Sequence, residues 1–144
     1  MAYKNLVIKP PKYVNIDTTK KSHYYKGFST VASDNGVALY DNELVKQDLL
    51  NHFSTRKGER VMDPTYGTII WDALFDPLTD DLKEQIKQDI TEILQNDPRL
   101  YPTDINVVEK DQGLLIEITT SYVNSDQSDI LKISFDRQLG LSVQ

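Results

Sequence analysis

One segment constrains this chain more than any other: Thr55 to Pro77, TRKGERVMDPTYGTIIWDALFDP. It combines a charged turn, a crossing punctuated by Pro and Gly, and a short apolar run, with an amphipathic segment on each side. Gly58 is expected at the C′ position of the preceding helix, where a residue without Cβ enters the left-handed region at little cost. Glu59 and Arg60 are the right types for a charge-assisted pair or for satisfying nearby backbone groups. Pro64 rules out helix at Asp63, and Gly67 frees the backbone just before Thr68 caps the run from Ile69 to Phe75. Asp76 and Pro77 close that helix and open the next. The pattern predicts two helices docked at a fixed angle around Trp71 and Phe75.

Upstream, Asp41 or Asn42 is expected to cap a helix whose Val45, Leu49 and Phe53 recur every four residues, with Leu50 widening the stripe. Downstream, Asp76 or Thr79 caps a long helix, with Asp80 and Asp81 near its positive end. Leu82, Ile86, Ile90, Ile93 and Leu94 form its apolar stripe, whereas Lys83, Lys87, Gln88 and Glu92 face water. Asn96, Asp97 and Pro98 stop it.

The last third changes period. Ile105 and Val107 alternate with polar residues, and Asp111 to Gly113 is a turn. Leu114, Ile116 and Ile118 then face opposite to Leu115, Glu117 and Thr119. After a polar loop from Asn124 to Asp129, Leu131, Ile133 and Phe135 alternate with Lys132 and Ser134. The expected class is α+β, with two to three helices packed on a small, mainly antiparallel three-stranded C-terminal sheet.

The beginning of the chain reads differently. Residues 1–22 carry Pro10-Pro11 and apolar residues without period, which predicts an extended or flexible basic arm ahead of one α+β domain over 23–144. Five lysines against Asp17 alone give that arm +4, so the remainder carries −10 of the total −6. Such an arm is either a solvated tail or a segment that orders on an acidic neighbour. His23 to Thr30 is aromatic and fits a short strand or a packing hook. Ser33 to Gly36 is turn chemistry, followed by a short strand from Val37 to Tyr40.

Composition excludes several function classes. With 39% hydrophobic and 26% charged residues over 144 positions, the chain has the profile of a soluble domain with its own core. No apolar run is long enough to span a membrane, and Leu6-Val7-Ile8 is too short for a secretory h-region. Zero Cys leaves no disulfide framework or thiolate chemistry. The negative balance argues against a nucleic-acid partner, which calls for a basic face. His23 and His52 are the only histidines and have no companion ligands at helical spacing, so no metal or cofactor is expected. The segment Asn124 to Asp129 superficially matches a calcium loop, but it lacks the sixth-position Gly, and Phe135 stands where the bidentate Glu belongs.

Thr55, Gly58-Glu59-Arg60, Pro64, Gly67 and Leu74-Phe75 resemble the signature of the baseplate wedge family of contractile phage tails. The resemblance extends less sharply from about Phe28 to about Leu100. That family comprises small subunits on which sheath assembly starts, found also in contractile injection and type VI secretion machines. The resemblance implies a structural subunit, several copies (six by the family's symmetry) per baseplate, other wedge proteins and the tail sheath protein as partners, and residence in the virion after assembly in the host cytoplasm. Some members have carried a lysozyme label, so a peptidoglycan hydrolase is the alternative from another class. Glu59 with Asp63, or Asp72 with Asp76, would supply its carboxylates. A general acid needs burial, however, and Glu59 lies between Lys57 and Arg60, which favour its ionised form. No catalytic residue is therefore assigned.

Two features bear on binding. Asp97, Pro98 and Arg99 follow the long helix. Read plainly they are a helix stop, but charges flanking a rigid kink are also presented with little ordering cost. The family carries Glu-Pro-Arg at this place to grip a bundle of wedge-protein helices, which makes Asp97, Pro98 and Arg99 the expected partner-binding residues. Thr55, Gly58, Glu59, Arg60, Pro64 and Gly67 read mainly as scaffold. The second feature is the sheet, whose edges either are guarded by Lys132, Arg137 or the tail or accept a strand from another chain. In the family a similar sheet accepts a segment of the first sheath ring.

Overall fold

The computed structural model describes residues 23–29 and 38–144. The expectations for the basic arm and for the Ser33–Gly36 turn lie outside the described residues. In chain order the elements are β1 (Lys26–Phe28), β2 (Ala38–Tyr40), α1 (Asp41–Ser54), α2 (Ile70–Ala73), α3 (Asp80–Gln95), β3 (Leu100–Lys110), β4 (Gly113–Tyr122), β5 (Ser128–Asp136) and β6 (Gly140–Val143). Helices thus precede a C-terminal antiparallel sheet, with a two-stranded β1–β2 ribbon ahead of them.

The C-terminal sheet has four strands in the order β3-β4-β5-β6, not three. The fourth is too short and too exposed to show an alternating pattern, so only its pairing defines it. Ile133 to Asp136 of β5 faces Val143 to Gly140. A local device makes the turn: the Asp136 carboxylate accepts hydrogen bonds from the backbone N–H of Gln138 (2.7 Å) and Leu139 (3.1 Å). Those two bonds hold the Asp136 carboxyl below its usual range.

Alternation along β4 is strict, with Leu114, Ile116, Ile118, Thr120 and Tyr122 buried. Leu131, Ile133 and Phe135 of β5 share that inner face. Against it lie the stripes of α1 (Val45, Leu49, Phe53) and α3 (Ile86, Ile90, Ile93, Leu94), which form one core with Ile70, Ala73 and Leu74. On the outer face Lys132 pairs with Glu117 directly across the strands at 2.8 Å, which holds the Glu117 carboxyl down. β3 is an edge strand, so it tolerates Pro102, and its register slips between Pro102 and Asp104.

The helix starts divide. Thr79 caps α3 by accepting from the Leu82 N–H at 3.2 Å. Neither Asp41 nor Asn42 caps α1. Asp41 is its first residue, at φ +47°, a region that Asp enters more readily than most residues. Its carboxylate points back to β1, accepting from the N–H groups of Tyr24 (2.7 Å) and Tyr25 (2.9 Å) and meeting His23 Nδ1 at 2.8 Å. These contacts lower the Asp41 pKa, the Tyr25 bond first. The expected cap is instead the clamp that ties the ribbon to α1.

Phe75 departs from expectation more sharply. It is 75% exposed, whereas Leu74 is buried. The single turn of α2 directs Ile70, Ala73 and Leu74 inward, and the next residue is rotated towards solvent. Trp71 does pack on the core, with its indole N–H donating to the Phe53 carbonyl at 2.8 Å and its ring edge-on to Phe135 at 5.3 Å. The β5–β6 turn secures the end of α2, since Arg137 Nε donates to the Leu74 carbonyl. Leu74→Ala is accordingly expected to cost about 3 kcal/mol in chemical denaturation, and Phe75→Ser less than about 0.5 kcal/mol.

Candidate functional site

α1 ends at Ser54 with Thr55 as its extended C-cap, so Gly58 is not the C′ residue. The chain instead makes a closed excursion. Arg56 and Thr68 meet in a parallel bridge, with Thr68 N–H donating to the Thr55 carbonyl (3.0 Å) and Lys57 N–H to the Thr68 carbonyl (3.2 Å). Inside the excursion Gly58 N–H donates to the Pro64 carbonyl at 2.9 Å. Glu59 does not pair with Arg60; its carboxylate accepts from the Arg56 N–H at 3.0 Å. Thr55 Oγ1 donates back to the Asn51 carbonyl at 2.9 Å.

Asp89 bolts this loop to α3. It is buried on the apolar stripe of the helix, where it accepts from Thr68 Oγ1 (2.8 Å), Ile69 N–H (3.1 Å) and Lys57 Nζ (3.1 Å). Thr68 is thereby a relay, because its hydroxyl donates to Asp89 and accepts from Ile70 N–H at 3.3 Å. The sequence reading missed Asp89. The available signal was a carboxylate on the inward face of a helix, one turn after Ile86 and one before Ile93.

Arg60 and Tyr66 from the loop, Asp48, Leu49, Asn51 and His52 from α1, Ile93 from α3, and Asn96, Asp97, Pro98 and Arg99 from the turn after it line one cleft. The two motif blocks, Thr55–Pro77 and Asp97–Arg99, are separated in sequence by residues 78–96 and share a surface. On one wall the His52 and Tyr66 rings lie 4.0 Å apart, and the Arg60 guanidinium sits 3.5 Å over the Tyr66 ring. His52 Nε2 accepts from Gly67 N–H at 3.2 Å, which places the ring proton on Nδ1.

On the other wall Arg99 grips Asp97, with Nη2 to Oδ2 at 2.7 Å, Nε to Oδ1 at 2.9 Å and backbone N–H to Oδ1 at 3.0 Å. Its Nη1 reaches Asp48 on α1 at 2.9 Å. Burial pushes the Asp97 carboxyl up, but its bonds to Arg99 outweigh this and hold it below the usual range. The Arg99 guanidinium is stabilised in turn, first by Asp97. These charges are ordered before any partner arrives, and they are largely satisfied by one another and by α1. Pro98 stands exposed between them.

Burial lowers the His52 pKa, and an Nε2 that accepts a hydrogen bond must be unprotonated. The unfolded chain therefore takes up this proton first. The contribution of His52 is fully present above pH ~6.5 and is lost as pH falls through the lowered folded value. Urea denaturation should show stability falling as pH is lowered below ~6.5, and His52→Gln should remove that part of the slope.

The carboxylates considered for hydrolysis are all exposed. Glu59 holds a backbone N–H, Asp72 pairs with Arg56, and the Asp63 carboxyl is held low, first by the Thr65 hydroxyl. Among the described residues no group of three His, Cys, Asp or Glu side chains is placed to hold a metal.

A profile of the family described as baseplate wedge protein gp25 matches residues 40–127, from the end of β2 through the β4–β5 loop. The baseplate wedge protein gp25 of Enterobacteria phage T4 is 31% identical over 93 residues, covering 62% of this chain and 70% of that protein. A chain in the cryo-EM structure of the anti-feeding prophage (AFP) baseplate, 6-fold symmetrised, superposes with a TM-score of 0.58 at 28% identity. That match covers 70% of this chain and 87% of the other. Both motif blocks and the cleft they line fall inside the matched region, and this chain belongs to the gp25 family of baseplate wedge proteins, structural components of contractile tail machines.

Proposed function

We propose that this protein is a non-enzymatic wedge subunit that docks onto a helical bundle of other wedge proteins through the cleft carrying Asp97, Pro98 and Arg99. In this reading the basic arm precedes one folding unit over 23–144, and several copies, six by the family's symmetry, join each virion baseplate after assembly in the host cytoplasm. The observation that supports docking most is the shared cleft. Both motif blocks contribute to one surface whose charges are already oriented, so little further ordering opposes binding.

The second role proposed is to start the sheath by strand addition. The outer edge of β3 from Asp104 to Lys110 is the better candidate, because β6 offers only Gly140 to Val143. The likeness to a chain of the AFP baseplate keeps a contractile injection device, or the related type VI apparatus, as the alternative setting. Gene neighbours encoding a capsid or lacking one would separate these.

Docking is tested by copurifying tagged protein with tail proteins from producing cells. Pro98→Glu changes the exposed kink without removing an ion pair, and thermal melting serves as the fold control. Loss of wedge components with an unchanged melting curve supports the reading. Unchanged recovery reduces Asp97, Pro98 and Arg99 to a helix stop. Clearing of cell-wall suspensions that Glu59→Gln abolishes would replace the structural reading with a hydrolase.

A further inference from the structure

Next to the cleft the loop does something unusual for a soluble surface. Val61 is 94% exposed and Met62 is 96% exposed, although they are adjacent apolar side chains. They are not on a loose loop. The Gly58–Pro64 bond, the Glu59–Arg56 bond, the Tyr66 N–H to the Asp63 carbonyl (3.2 Å) and the Thr65 hydroxyl to the Asp63 carboxylate (2.7 Å) close the tip from both sides. Beside them Arg60 lies flat on Tyr66 and makes no salt bridge among the described residues, acting on the neighbouring Asp63 carboxylate only through its field. A guanidinium stacked by its face keeps its N–H edges free in fixed directions, the geometry that receives a carboxylate in a bidentate pair.

We infer that Arg60, Val61 and Met62 form a second, preorganised docking element that inserts the Val61–Met62 knob into an apolar socket on another protein, with an Asp or Glu at the socket's rim pairing with Arg60. This rests on the baseplate reading above and adds to it the chemistry of the partner. Local charge complementarity selects the occupant: of the three cations in this loop, Arg56 pairs with Asp72 and Lys57 with Asp89, which leaves the stacked Arg60 guanidinium to receive a single carboxylate. An anionic membrane would meet the same apolar tip, but the neighbouring Glu59 and Asp63, and the −10 of the remaining chain, oppose it. The polarizable, unbranched Met62 suits a socket of irregular shape.

The test uses assembled particles carrying the full chain with a photo-crosslinking benzoylphenylalanine at position 62. At 96% exposure this change should leave the melting curve unmoved. The expected adduct is a segment of a different protein that combines apolar side chains with an Asp or Glu. Arg60→Glu should reduce incorporation of the chain about tenfold or more. Converting the mapped acid to Lys should restore it. Adducts with lipid, adducts with a second copy of this chain, or no adduct at normal incorporation would each overturn the inference while leaving the baseplate reading intact. Absence of the wild-type chain from the particles would remove both.

Discussion

Asp89→Ala is expected to lower the unfolding free energy by about 3–5 kcal/mol, the range for removing one member of a buried, hydrogen-bonded ion pair. The carboxylate is 6% exposed and holds three donors from the loop, so its loss leaves Thr68 Oγ1 and Ile69 N–H without their acceptor in the protein's interior. For a chain of this size that corresponds to a melting temperature lower by roughly 10–15 °C. Asp89→Asn should recover only part, because an amide presents one acceptor oxygen where two are used. Lys57→Met should cost less, since the ammonium is 38% exposed and the buried Asp89 keeps its bonds from Thr68 Oγ1 and Ile69 N–H. Urea denaturation of the three variants checks the order. If Asp89→Ala costs less than Lys57→Met, the loop is not held by this carboxylate. Hydrogen exchange should localise the damage to residues 55–69 before the sheet is affected.

Gly67→Ala is expected to cost about 3 kcal/mol or more in the same assay. Two terms contribute. The residue adopts φ +112°, which L side chains rarely adopt, and an added Cβ would meet Thr55 O at 2.7 Å and Arg56 O at 2.8 Å. Those are backbone atoms of the bridge that closes the loop, so relief means opening the bridge. The displacement would also break the Gly67 N–H bond to His52 Nε2 and disturb the His52–Tyr66 wall of the cleft. Gly58 supplies the control within the same motif. It too has positive φ, +87°, but faces open space. Gly58→Ala should therefore cost only the conformational strain, about 1–2 kcal/mol. Equal losses at the two positions would show that close approach contributes nothing at Gly67.

Much of this molecule was legible from periodicity. The stripe Ile86, Ile90, Ile93 and Leu94 with Thr79 ahead and Pro98 behind defines α3, because helix faces and caps depend on residues within a few turns. The alternation of Leu114, Ile116 and Ile118 defines β4 on the same grounds. Errors arose where a residue's role is decided by distant chain. Asp41 looked like a cap but is claimed by the backbone of Tyr24 and Tyr25. Phe75 looked like core because it is aromatic and follows an apolar run, but a one-turn helix could direct only its predecessor inward. The strand β6 was missed because four residues carry too little pattern, and its identity comes from pairing with β5.

The sequence by itself determined the types of the longer helices and strands, the break at Pro98, the carrying of a wedge-family signature by the Thr55–Pro77 block, and a helical half followed by an antiparallel sheet. These follow from local chemistry: side-chain spacing, caps and residues that forbid a backbone conformation. Tertiary structure alone decided that Asp89 meets Thr68 and Lys57, that Arg99 joins Asp97 to Asp48, and that both motif blocks line one cleft with Val61 and Met62 displayed beside it. The reason is physical. Which charges become buried together, and which apolar groups remain outside, depends on the closure of elements tens of residues apart, and hydrophobic burial that drives closure carries no directional record in any local pattern.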